Sequence, residues 1–226
     1  MLNLSLSLDS LGTFAAIIMG FGYVVYAYFL FQHRTRANAT AWGLMCISAS
    51  TFLVVEYIYG VPWNALKLGA VDAVIAFLIM GFAYSIGRMQ HWSPHDKKLI
   101  LWYLLLLAIY LIGDAVDRNS LVQNQFIPFL QIGIIIIYNI TTIIEFIPII
   151  RETWLKNEDE LPYAWIIWTS SYLLYLYVRI LEDVDVVNLV YPIVSILLHG
   201  SIAILTIGYV RKYLQEKSIL LRKTEI

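Results

Sequence analysis

Charge is scarce in this chain. Only 14% of its 226 residues are Asp, Glu, Lys or Arg, too few to cover a surface when 60% of the residues are hydrophobic. A water-soluble domain of this make-up would expose large apolar patches and aggregate. The single cysteine, Cys46, excludes an intrachain disulfide. The net charge of −1 provides no basic excess for a phosphate backbone, so nucleic acid is not an expected partner. Neither Gly-x-Ser-x-Gly nor His-Glu-x-x-His occurs, which removes two common hydrolase signatures. The first ten residues hold no Lys or Arg and no clear cleavage site. No signal peptide is expected, and the first helix is read as its own insertion signal.

What the chain has instead is seven long apolar stretches, at 14–31, 42–59, 69–86, 99–112, 126–149, 165–181 and 189–210. Most approach the roughly 20 residues that cross a bilayer as a helix. The fourth is short and is expected to extend into its polar flanks. Backbone in lipid must satisfy itself, which leaves helices or a closed barrel. Unbroken runs such as 132–138 lack the alternation of barrel strands. The expected fold class is all-α, a seven-transmembrane helix bundle in a lipid bilayer.

The basic residues set the expected orientation. One set of loops, with the tail, holds Arg34, Arg36, Arg88, Lys97, Lys98, Arg151, Lys156, Arg211, Lys212, Lys217, Arg222 and Lys223. The other holds Lys67 and Arg118, while Arg179 lies within a helix. The positive-inside rule then puts the N-terminus outside and the C-terminus in the cytoplasm.

The outer groups of three stretches read as copies. Fourteen residues after Trp42 comes Glu56, and fourteen after Trp165 comes Arg179. Sixteen further on come Asp72 and Ser195. A single linking helix lets two three-helix units insert the same way round, as a parallel repeat about the membrane normal. The expected units are 1–87, a linker at 88–124, 125–210 and a basic cytoplasmic tail at 211–226. Chance alignment of apolar helices is the competing reading, since residue identity between the halves is low.

Two short passages carry a resemblance. Phe146-Ile147-Pro148-Ile149-Ile150-Arg151 is followed by Leu161-Pro162-Tyr163-Ala164-Trp165, with a weaker first copy in Phe31-Gln32-His33-Arg34 and Ala39-Thr40-Ala41-Trp42. With the 3+1+3 layout, this resembles the SWEET sugar-transporter and PQ-loop superfamily: a Pro-Gln, a basic loop and an aromatic helix start. Ile149 stands where that pattern has glutamine, and helix 1 has no proline. The family's paired asparagines would fall near Asp72 and Ser195. Transporters of the nicotinamide riboside type share a similar plan. The resemblance implies a small-solute transporter or facilitator working by alternating access between two triple-helix bundles.

Polar residues inside the stretches are the candidate site, because a charge in lipid normally faces a partner or a water-filled cavity. At helical spacing, helix 5 aligns Gln131, Tyr138, Thr142 and Glu145, with Asn139 at the edge. Helix 6 aligns Trp168, Tyr172, Tyr175, Arg179 and Glu182, and helix 7 aligns Asn188, Pro192, Ser195, His199 and Thr206. Helix-to-helix glue is the bland alternative, but Glu and Arg cost too much to bury as glue alone. Asp72, Tyr138, Asn139, Tyr175, Ser195 and His199 are expected to line one substrate cavity. Glu56 and Arg179 are expected to pair as an outer gate, with Glu145 towards an inner gate. Pro148 and Pro192 are expected to free carbonyls and permit bending. His199 is a candidate for a coupling proton, although a neutral buried histidine bonded to a neighbour is the commoner outcome. Residues 91–96, with two histidines at metal-like spacing, read as a wet loop. No catalytic residue, metal or cofactor is assigned.

The expected partner is a small solute: a sugar, a nucleoside or an amine. A homo-oligomer is compatible with the pattern. Two other classes stay open. One is a seven-helix receptor or sensor; helix 7 has no lysine for a rhodopsin-type Schiff base. The other is an intramembrane hydrolase, for which Asp72, Glu145 and His199 are the only candidate ligands, read as lying at mismatched depths.

Overall fold

In the computed structural model, residues 7–58, 63–90, 94–118, 127–156, 160–182 and 189–224 are described. They form seven α-helices: α1 (Leu8–Phe31), α2 (Ala39–Ile58), α3 (Trp63–Ser85), α4 (Pro94–Arg118), α5 (Ile127–Lys156), α6 (Pro162–Leu181) and α7 (Val190–Thr224). Apart from one bridge pair, Ala37 with Met89, no strand occurs among the described residues. Four of the helical segments are long and apolar enough to cross a membrane: Leu8–Phe31, Leu66–Ser85, Pro162–Leu181 and Val190–Gly208. This fits a membrane protein.

Local chemistry sets several helix ends. Ser7 caps α1 by accepting from the Ser10 amide at 3.2 Å. Asn38 caps α2 by accepting from Ala41 N at 2.9 Å. Pro162 sits in the first turn of α6, where its missing N–H would have had no helical partner. α3 stops in a Schellman turn: Gly87 takes φ 68°, and Arg88 N donates to Ala83 O at 2.8 Å. α1 stops the same way at His33, with φ 57° and Arg34 N donating to Phe29 O at 2.9 Å.

The boundaries correct the sequence reading in four places. α3 begins at Trp63, six residues ahead of the apolar run, because the polar turn around Lys67 is helical. Lys67 is held there by Asp9 at 2.5 Å and Thr13 at 2.8 Å, both from the start of α1. α4 does extend at both ends, and it takes in Pro94, His95 and Asp96, which had been read as loop. Residues 91–93 lie outside the described residues. α7 continues without a break through Thr224, so most of the expected tail is a helical extension. Pro192 falls in the first turn of α7, where its missing N–H costs no helical bond, so it is not the hinge it was expected to be. Pro148 lies inside α5 and does deny one interior carbonyl, that of Ile144, its partner.

The helices pack as a ring. α3 lies between α1 and α2, and α7 lies between α5 and α6. α1 meets α6, and α2 meets α5, which closes the circle in the order α1, α3, α2, α5, α7, α6. Among the described residues the backbones of α1 and α2 do not pack side by side, nor do those of α5 and α6; only long side chains such as Trp42 and Tyr26, or Phe146 and Trp165, meet between them. α4 stands outside against α5 and α2.

α1 packs closely on α6, because it turns the small residues Gly12, Ala15, Ala16 and Gly22 inward. Ser171 of α6 donates to the Ala15 carbonyl at 2.8 Å. The opposite face of α1 exposes Phe14, Ile17, Phe21, Val24, Tyr28 and Phe31, a lipid-type stripe. The end of the bundle where α1 stops and α2 starts carries the basic loops and is called the basic end below.

Candidate solute site

Every ring helix sends side chains into one partly enclosed chamber; among the described residues α4 sends none. α1 gives Tyr23, α2 gives Trp42, Met45, Ser48 and Ala49, and α3 gives Asp72. From the second half, α5 gives Thr142, Glu145 and Phe146, α6 gives Trp165, Trp168 and Tyr172, and α7 gives Tyr191, Ser195 and His199. The space left is small. About 30 Å³ is open to a water-sized sphere, against roughly 10–15 Å³ for one water. In this state the chamber has room for a few waters and not for a sugar ring.

Asp72 is built into one wall. Its carboxylate accepts a short hydrogen bond from Tyr23 OH and a long one, 3.5 Å, from Tyr172 OH. Tyr172 in turn lies 3.2 Å from the Tyr191 hydroxyl. Three helices besides α3 therefore converge on one acid. Glu145 is buried in another wall with Ser48 beside it, and its Oε1 has no protein hydrogen-bond partner. His199 is caged by four rings: Phe146 at 4.8 Å, Tyr172 at 5.0 Å, Trp165 at 5.6 Å and Trp168 at 5.9 Å between centroids. Its Nδ1 meets the Ser195 carbonyl at 2.8 Å, so that nitrogen carries a proton and donates it.

Towards the basic end the chamber is tied shut. Trp42 Nε1 donates to Tyr26 OH at 3.4 Å, and Tyr26 OH donates to Glu160 Oε1 at 3.0 Å. Trp165 Nε1 donates to Glu160 Oε2 at 2.9 Å. Glu160 precedes α6, so this chain of bonds joins α1 and α2 to the second half of the molecule. Asn38 adds a second tie by donating to Glu152 of α5 at 2.8 Å and to Gln90 at 3.2 Å. Arg151 meets the buried Asp96 at 3.0 Å. At the opposite end Arg179 lies 3.6 Å from Glu182 and over the Tyr175 ring at 5.7 Å.

Three of the six expected binding residues, Asp72, Ser195 and His199, line the chamber. Tyr138, Asn139 and Tyr175 are buried but do not line it. Tyr138 stacks on Phe52 at 4.9 Å and packs on Tyr110 at 5.7 Å, turned towards α2 and α4. Glu145, expected near the inner end, is in the lining with Asp72 and His199. The mismatch of depth disappears because α3 starts earlier than the apolar run, which sets Asp72 deeper. These three still form no metal cluster: among the described residues no group of three or more His, Cys, Asp or Glu is arranged to hold an ion. The Glu56 and Gln131 side chains and Asn188 lie outside the described residues, so the Glu56–Arg179 gate is untouched by these contacts. α2 and α6 are not neighbours in the ring, and such a pair would have to reach across its axis.

The sequence reading missed Tyr23, Tyr26, Ser48, Tyr191 and Glu160. Tyr23 and Tyr26 carried a signal, since they are the polar-tipped residues on the small-residue face of helix 1. Glu160 carried none, lying in a loop that reads as solvated. No protein-family model, curated protein or solved structure matches this chain.

Proposed function

We propose that the chain is a small-solute membrane carrier that works by alternating access between two three-helix units, α1–α3 and α5–α7, joined by α4. The observation that carries this reading is the chamber at the centre of the six-helix ring, with Asp72 and Glu145 facing it and all six helices contributing. The ring order supports a repeat. Turning the circle by half exchanges α1 with α5, α2 with α6 and α3 with α7 and keeps the six neighbour relations around the ring, while a smaller α3–α6 contact has no α7–α2 counterpart among the described residues. Trp42 and Trp165 are each the fourth residue of their helix, and each spends its indole N–H on the tie at the basic end. The 3+1+3 resemblance to the SWEET and PQ-loop superfamily points the same way. The solute class is a sugar, a nucleoside or an amine, crossing the bilayer with no cofactor.

Two units hinged on a linker can rock about a central site, opening one end as the other closes. The tie through Glu160 is a bond set that such a cycle would break at the basic end. Uptake by proteoliposomes, measured against a panel of sugars, nucleosides and amines, tests the reading. Protein-dependent uptake of at least one, lost in Asp72→Asn with folding intact, is expected. Absence of any uptake above protein-free liposomes overturns it. The small size of the chamber favours a second reading, a sensor that binds a solute without passing it, and binding without uptake would select that one.

A further inference from the structure

Resting on the carrier reading, we propose that the chamber recognises a small primary ammonium ion, held between the Asp72 and Glu145 carboxylates against tryptophan rings. Among the described residues the lining contains two carboxylates, one histidine and no lysine or arginine. Bringing a neutral sugar to it would leave both acids either charged without a counter-ion at membrane depth, which costs several kcal/mol per ion, or obliged to take up protons. An anion would add to that cost.

The donors already present do not change the balance. Asp72 accepts from Tyr23 and Tyr172, which are neutral hydroxyls. His199 gives its Nδ1 proton to the Ser195 carbonyl. Arg179, on the same helix as Tyr172, points to Glu182 and Tyr175 and is not in the lining.

Glu145 supplies the second, independent observation. Its residue is 4% exposed and lines the chamber, and its Oε1 finds no hydrogen-bond donor in the protein. A buried acceptor of that kind asks for an N–H or O–H from a guest. An ammonium group brings three donors, no acceptor and one positive charge, which matches two acids with an acceptor to spare. A quaternary ammonium would supply the charge but not the donor. Trp42, Trp165 and Trp168 wall the same space, and indole faces attract a cation. The room in this closed state suits the ammonium head with a short stem. A bulkier amine enters only as the ring opens.

The test uses purified full-length protein in micelles, titrated calorimetrically with benzylammonium, benzyltrimethylammonium and benzyl alcohol. These share one ring and differ in charge and in N–H donors. Benzylammonium is expected to bind at least about tenfold more tightly than either of the others. Glu145→Gln is expected to erase most of that preference, weakening benzylammonium well beyond any change in benzyl alcohol. Because Glu145→Gln acts on a buried site, Asp72→Asn is the second variant, and the selectivity of the native protein needs no variant at all. Equal affinity for benzyl alcohol, a preference for the quaternary ion, or an unchanged preference in both variants overturns the assignment.

Uptake of the same probes into proteoliposomes separates the two readings. Benzylammonium that binds selectively but is not transported leaves the site standing and removes the carrier. Transport of a sugar or nucleoside by a protein that does not prefer benzylammonium leaves the carrier standing and removes the ammonium site.

Discussion

Gly22 marks the tightest approach in the molecule's centre. A methyl group there would stand 2.5 Å from Trp168 Nε1 and 2.6 Å from its Cδ1. Tyr23 and Trp165 hold the indole at 4.9 Å on two sides, so it can yield only towards the chamber. Gly22→Ala is therefore expected to destabilise the protein by roughly 1–3 kcal/mol, the usual range for overpacking. A lowered Tm in thermal unfolding monitored by size-exclusion recovery checks it, and an unchanged Tm would mean the α1–α6 contact yields easily. Glu160 makes a second prediction at this scale. Its two oxygens each accept one buried bond, from Tyr26 and from Trp165. A glutamine keeps one acceptor only, so Glu160→Gln should cost about 1–3 kcal/mol in the state closed at the basic end. Faster labelling of a cysteine placed at Ser48 on the chamber wall would report that opening. Labelling at the native rate would show that the tie is not a gate.

Among the elements, α5 carries the one internal proline and α3 the displaced start. Pro148 leaves a gap in the α5 ladder next to Glu145 and is buried itself. Interior proline costs about 3 kcal/mol or more relative to a continuous helix. Pro148→Ala is expected to stabilise the protein in denaturant titration and to slow transport, because a stiffer α5 resists the bend a rocking unit needs. Higher stability with undiminished uptake would reduce Pro148 to a fixed kink. α1 ends on His33 in the left-handed region, where glycine avoids the steric cost. His33→Gly should therefore be neutral or stabilising, by up to roughly 1 kcal/mol. Helix existence was plain in the apolar runs. Helix starts were not, since Lys67 and Asn64 look like loop residues until Asp9 and Thr13 of a distant helix are there to receive Lys67.

For the whole molecule, the expected arrangement in the bilayer follows from the basic residues. Twelve lie in the loops and tail at the basic end against Lys67 and Arg118 at the other, an asymmetry from which a cytoplasmic basic end is predicted. A cysteine at Ser5 should react with an impermeant maleimide on intact cells, and one at Lys217 only after permeabilisation. The reverse pattern would invert the topology and make the Glu160 tie an outer closure. The native Cys46 is buried and gives little background.

Membrane class, helix count and the polar faces of α5, α6 and α7 follow from the sequence alone, because lipid forces hydrogen-bonded backbone into helices and turns polar stripes inward, although a lone Ser170 stays exposed. Trp168, Tyr172, Tyr175 and Arg179 are indeed all buried on one face of α6. Which inward residues share a chamber was decided only by tertiary structure. Periodicity fixes the angle of a side chain about its own helix but not the neighbour that the helix meets. Tyr138 and Glu145 lie on one stripe two turns apart, yet Tyr138 stacks on Phe52 and Tyr110 while Glu145 reaches the chamber. Depth was likewise set by where α3 begins. That start depends on a salt bridge to α1, 58 residues away along the chain, and no local pattern records it.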